Sequence, residues 1–136
     1  MEPIRIFIDT NVIIDYFSGR MHDGEALKIM QLGRTPQYEL CTTILSAINT
    51  VYARKYFNSD FKPSDIERVV TVIPHTLDAW KQAQKVPMDD FEDCIQTVEA
   101  IKSGCAAIIS RDRHFKDCPL KVFSPKEFLE LVTSEN

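Results

Sequence analysis

Short runs of consecutive apolar residues alternate along this chain with longer stretches in which apolar positions recur every three or four residues. The first pattern predicts buried strands and the second amphipathic helices. Residues 4–8, Ile-Arg-Ile-Phe-Ile, stop abruptly at Asp9-Thr10-Asn11 and predict a first strand. Further strands are predicted at 38–42, 69–73, 106–110 and 121–123, where apolar and β-branched residues gather. Helices are predicted at 11–17, 24–32, 44–57, from Pro63 onward, at 76–85, 91–102 and 125–132. Pro63 and Pro125 stand in first turns, where the missing N–H costs nothing. Pro87 stops the helix before it, and Gly104 caps the helix that ends at 102. Strands alternating with helices imply βαβ units, hence an α/β fold with a mainly parallel sheet covered on both faces. No repeat or linker interrupts the pattern, so residues 1–136 are expected to form a single domain.

Composition narrows the class. With 44% apolar and 26% charged residues the chain is expected to be soluble, and no apolar run approaches the ~20 residues of a membrane span. The N-terminus has no secretion signal, so the cytoplasm is the expected compartment. Cys41, Cys94, Cys105 and Cys118 lack metal-ligand spacing and are expected to be free thiols. A net charge of -4 argues against a broad basic surface for nucleic acid and leaves room only for a local basic rim.

The acids carry the chemistry. Asp9 follows strand one, Asp112 follows the strand at 106–110, and Asp93 lies in the first turn of the helix that feeds that strand. In an open α/β sheet the carboxyl ends of strands frame the site. Asp89, Asp90 and Glu92 surround Asp93; on a helix, Asp89, Asp90 and Asp93 share much of one face. Gathered like charges repel, and a cation between them explains their coexistence. Oxygen ligands without His or Cys point to Mg²⁺ or Mn²⁺, ions that activate water for phosphodiester hydrolysis. Taken singly, each acid has an ordinary explanation, helix-dipole stabilisation or N-capping. Their arrival from three separate segments is what suggests a site. Thr10 and Ser110 are candidates to hydrogen-bond the acids, or simple strand-end caps. Arg111 and Arg113, with His114, Lys116, Arg54 and Lys55, are candidates for the basic rim, although each alone reads as a solvated charge. Tyr52, Tyr56 and Phe57 suit base stacking or packing, Trp80 suits helix packing, and His22, His75 and His114 have no metal or triad spacing.

Three segments, Ile6-Phe7-Ile8-Asp9-Thr10-Asn11-Val12, Asp90-Phe91-Glu92-Asp93 and Ile109-Ser110-Arg111-Asp112, resemble the ordered motifs of PIN-domain ribonucleases, a group that includes VapC-type toxins. The stretches from Ser46 to Tyr52 and from Pro125 to Leu129 are similar to one PIN subgroup, and the likeness spans nearly the whole chain. The resemblance implies a three-layer α/β/α sandwich and a Mg²⁺- or Mn²⁺-dependent endoribonuclease. It implies Asp9, Asp93 and Asp112 as catalytic metal ligands, with Thr10, Asn11, Asn49, Asp90, Glu92 and Ser110 as auxiliary residues and Arg111 and Arg113 at the RNA. It also implies RNA as substrate and a small antitoxin protein as partner; self-association is expected and a membrane is not. Many family members carry Glu where this chain has Asn49, so its site holds one negative charge fewer. A non-catalytic PIN-like module that binds RNA or protein is the alternative. A haloacid-dehalogenase-type phosphatase fits less well, because residue 11 is Asn and no lysine motif follows. A receiver domain fits poorly because its acids come in another order.

Overall fold

Ile6 and Ile8 face one side of a sheet and Phe7 the other, which is why β1 (Ile4–Ile8) reads as continuously apolar toward its end. The computed structural model describes residues 2–19, 23–57, 59–112 and 115–134. Five strands, β1, β2 (Tyr38–Thr43), β3 (Thr71–Ile73), β4 (Cys105–Ile109) and β5 (Lys121–Phe123), form one sheet in the order β3-β2-β1-β4-β5. Every neighbouring pair is parallel. On the Ile6 face lie α1 (Thr10–Ser18), α2 (Asp23–Leu32), α3 (Ile44–Ala53), α4 (Pro63–Glu67) and α7 (Pro125–Ser134). On the Phe7 face lie α5 (Leu77–Ala83) and α6 (Phe91–Lys102). The three-layer α/β/α architecture is therefore the observed one. Phe7, Ile8, Ile108 and Ile109 are fully buried, each stabilising the fold by roughly 1.5–3 kcal/mol.

Several boundaries differ from the sequence reading, three of them with a clear physical cause. The helix predicted at 44–57 ends at Ala53 and tightens into a 3-10 turn over Arg54–Tyr56. Strand three begins at Thr71 because the Val69 and Val70 N–H groups still donate to Ile66 O (3.1 and 3.0 Å), extending the turn after α4. The helix predicted at 76–85 is shorter, with Thr76 outside it as N-cap, its Oγ1 accepting from Ala79 N at 3.1 Å. Among the described residues no helix is long and apolar enough to cross a membrane.

Gly104 closes α6 with φ +78°, left-handed backbone that a Cβ disfavours, although a Cβ there would meet no atom within 4 Å. Gly104→Ala should therefore lower stability by about 1 kcal/mol through backbone strain alone. A urea midpoint equal to that of the parent would show that the turn relaxes freely.

The site follows from the strand order. The chain leaves β1 for β2 on one flank, and β4 returns on the other, so β1 and β4 splay their outgoing connections apart. That is the crevice in which parallel α/β sheets place ligands. Ile8 is in register with Ile109, and Asp9 N donates to Ile109 O at 3.0 Å, which sets Asp9 beside Ser110 at the crevice mouth.

Candidate active site

Asp9 is the N-cap of α1. Its Oδ1 accepts from Thr10 N (2.8 Å), and its Oδ2 accepts from Ser110 Oγ (2.7 Å) and Asn11 Nδ2 (3.3 Å). The residue is only 7% exposed. Burial pushes its pKa up, the bonds from Ser110 and Thr10 pull it down, and the negative charges of Asp112 and Glu92 push it up further. Ser110 Oγ also accepts from Asp112 N (2.9 Å) and Asn11 Nδ2 (3.2 Å), while Asn11 Oδ1 accepts from Arg111 N (3.1 Å). Ser110 and Asn11 thus staple the segment after β4 to the start of α1 and fix how the Asp9 carboxylate is turned.

The opposite wall is the start of α6. Asp90 is the N-cap, its Oδ1 accepting from Asp93 N at 3.1 Å, which turns the first helical carboxylates toward the crevice. Asp9, Asp93 and Asp112 line one cleft of about 620 Å³, together with Thr10, Asn11, Asn49, Asp89, Asp90, Glu92 and Gln96. Asp93 is pushed up to about 7, first by burial and then by Asp90, Asp9, Asp112 and Glu92. Repulsion among these acids is held in check by protonation when nothing else neutralises it. Among the described residues, no three acidic, histidine or cysteine side chains stand close enough to grip a cation as they are. The acids share the cleft without being drawn to one point.

The remaining expected residues are distributed less simply. Asn49, on α3, donates through Nδ2 to Glu92 Oε1 at 2.8 Å. Thr10 serves Asp9 through its backbone N–H, while its buried hydroxyl has no partner among the described residues. Asp89 and Asp90 do not share a helix face with Asp93, because both precede Phe91, where α6 starts. Arg111 does not point into the cleft: its guanidinium makes a two-pronged ion pair with the buried Asp15 of α1, Nη2 to Oδ1 at 3.1 Å. That pairing engages the guanidinium that the sequence reading offers to phosphate. Arg113, His114 and His22 lie outside the described residues.

Trp80 of α5 is half exposed and packs edge-on against Phe91 of α6 at 5.1 Å, a contact between helices. Tyr52 and Tyr56 are exposed, with the Lys55 ammonium 3.7 and 5.1 Å from their rings. His75 accepts from Leu45 N (3.2 Å) and lies 3.5 Å from buried Glu99, a contact joining the end of β3 to α3 and α6. Sequence reasoning misses two residues, Asp15 and Gln96. The signal for Asp15 is an acid inside the apolar run Ile13-Ile14-Asp15-Tyr16-Phe17, which demands a buried partner. The signal for Gln96 is its spacing, four residues after Glu92 and three after Asp93, on the face turned to the cleft.

With the geometry in place, comparison with known proteins gives a consistent result. The family model for the PIN domain matches residues 5–114. The chain is 28% identical over 142 residues to "Ribonuclease VapC1" of Aquifex aeolicus (strain VF5), covering 96% of each. Among solved structures it is similar to a toxin-antitoxin complex from Klebsiella pneumoniae, with TM-score 0.67 and 21% identity over 88% of this chain and 97% of that one. It is also similar to Mycobacterium tuberculosis VapC20, described as a sarcin-ricin loop cleaving toxin, with TM-score 0.64 and 20% identity over 85% of this chain and 95% of that one.

Proposed function

The chain belongs to the PIN-domain family, and on that premise we propose that it is a metal-dependent endoribonuclease of the toxin type, hydrolysing RNA phosphodiester bonds. The observation that carries this reading is the meeting of Asp9, Asp93 and Asp112, from three segments, in one cleft at the point where the strand order reverses. The residues present suit Mg²⁺ or Mn²⁺. The donors are oxygen atoms, and burial and mutual repulsion push the pKa values of Asp9 and Asp93 up, a cost that a cation in the cleft would relieve. Asp9, Asp93 and Asp112 would hold the ion once their carboxylates draw together from the places they take in the cleft. When bound, such an ion lowers the pKa of a water and stabilises charge on a phosphoryl oxygen. The protein's own part is orientation: Ser110 and Asn11 fix Asp9, Asp90 fixes the first turn that carries Asp93, and Asp93 releases its proton as the cleft fills. The relative named ribonuclease and the toxin-like neighbours support the same reading. A small antitoxin-type protein and a second copy of the chain complete the proposal as partners, and the exposed apolar stripe of Ile44, Ile48 and Tyr52 is a surface suited to one of them.

Incubating purified protein with RNA tests the proposal. Internal cleavage with Mn²⁺ or Mg²⁺, absent in EDTA, is the expected result. A preparation that binds RNA yet cuts it with neither metal would instead favour a non-catalytic module, the reading that the neutral Asn49 amide in the cleft supports.

A pH dependence follows from Asp93. Its folded pKa, about 7 against an ordinary 3.8, means that the metal-free fold is favoured by protonation. That stabilisation is full below the ordinary value and is lost as pH rises through the folded one. A cation competes with this proton, so the rise in melting temperature with Mn²⁺ should be small at about pH 5.5 and larger at about pH 8. Equal shifts at both would show that metal binding displaces no proton from Asp93.

A further inference from the structure

Trp80 is the chain's single tryptophan, and 51% of it is exposed. With Leu45, His75, Thr76 and Ile95 it lines a recess of about 300 Å³. Leu45 stands two residues beyond the end of β2 and His75 two residues beyond the end of β3. The recess therefore lies at the same carboxyl edge of the sheet as the acidic cleft, whose Asp9 and Asp112 follow β1 and β4. Phe91 links the two. It meets Trp80 edge-on, is itself 39% exposed, and stands in the chain between Asp90 and Glu92, both of which line the cleft. On the other side Leu45 and Asn49 are about one turn apart on α3, and Asn49 Nδ2 donates to Glu92 at 2.8 Å. The contact of α5 with α6 accounts for the buried half of Trp80. It does not account for an indole with its other half in water beside a cleft. The charge balance points to what meets that indole. The chain carries a net charge of -4 and its cleft is acidic, so attraction to phosphates holds a strand poorly. Stacking on an aromatic ring supplies affinity without positive charge. Both His75 nitrogens are engaged, Nε2 accepting from Leu45 N and Nδ1 lying 3.5 Å from Glu99, so the imidazole is not free to read a base edge.

Resting on the RNA-cleaving reading above, we propose that this recess is a nucleobase subsite, in which an unpaired base near the phosphate at the cleft stacks on Trp80 beside Phe91. Recognition there is by the ring face, so the subsite accepts any base and holds purines, with their larger rings, more tightly. It selects unpaired over paired RNA, because a base inside a duplex cannot turn its face to the indole.

Because Trp80 is the only tryptophan, its fluorescence reports on the recess directly. The full chain carrying Asp9→Asn, with Mn²⁺ present, keeps the strand whole while an end-labelled short oligoadenylate is titrated and its anisotropy followed. Tryptophan quenching that saturates together with the anisotropy is expected. An abasic ribose-phosphate strand of the same length should bind about tenfold more weakly and without quenching. In cleavage of RNA by the otherwise unaltered chain, Trp80→Ala should raise KM about tenfold and leave kcat within about twofold. Trp80→Phe keeps a ring and should stay within about threefold of the parent in both. The proposal is overturned if the oligoadenylate fails to bind, binds without quenching or is matched by the abasic strand, or if Trp80→Ala keeps the parent's KM. Metal-dependent cleavage by the parent alongside any of these results leaves the nuclease reading standing and removes the subsite alone. A parent that cuts no RNA with either metal removes both.

Discussion

Asp9→Asn is expected to abolish RNA cleavage, a drop of at least about a hundredfold, while leaving the protein folded. The substitution removes one negative charge from the cleft and changes little else. An asparagine at this N-cap still offers Oδ1 to Thr10 N, and caps of the two kinds are nearly equivalent, so helix α1 keeps its start. The bonds to Oδ2 are lost: the new amide N–H would face a Ser110 hydroxyl that already accepts from Asp112 N and Asn11 Nδ2, and the Asn11 amide donor itself. The buried acid whose pKa is pushed up by desolvation is replaced by a neutral group that escapes that penalty. Relief of that penalty offsets the lost bonds to Oδ2, so stability in the absence of metal should change by no more than about 1 kcal/mol. Gel-based cleavage of a labelled RNA and a urea midpoint on the same preparation check both halves. Cleavage at the parent's rate would remove Asp9 from the chemistry; collapse of the fold would mean that the charge itself holds the strand end.

Arg111→Met is expected to cost about 3 kcal/mol of stability, since it leaves a buried carboxylate without its guanidinium. The Asp15 side chain is 2% exposed, and Arg111 meets it with two N–H groups. Arg111 thus clamps the loop after β4 to α1, on the same pair of elements that Ser110 and Asn11 join at the cleft. Replacing both partners, Asp15→Leu with Arg111→Met, should recover much of the loss, because no ion is then stranded in the interior. Urea titration measures both variants. If Arg111→Met leaves the midpoint in place and only reduces the salt dependence of RNA binding, the side chain serves phosphates after all.

The contrast between these two residues shows how far the sequence is readable. Asp9 is legible because its position depends on one local fact, the end of an apolar run, and parallel sheets deliver such ends to a common edge. Asp93 and Asp112 are legible for the same reason, through the start of α6 and the end of β4. The strands and helices follow from periodicity, and the errors fall at ends, where competing hydrogen bonds decide; Val69 and Val70 have strand-like side chains but donate to Ile66 O. What sequence leaves open is pairing across the fold. Arg111 borders an acidic motif, and nothing local says that its head group turns to Asp15, 96 residues away. Gln96 is legible only in part: its spacing from Glu92 marks the cleft face, but the meeting of Glu92 with Asn49 from another helix is not readable locally.

The sheet's outer strands carry a consequence for assembly. β3 and β5, which flank the sheet, are each only three residues long. A stranger's backbone laid against either border would find too few open N–H and C=O groups to anchor a ladder. Fibrillar stacking by strand addition is thereby discouraged, even though the inner strands β1 and β4 are rich in the isoleucine that such stacking favours. A protein that captures this chain is expected to grasp side chains on its helices and loops, leaving the sheet undisturbed.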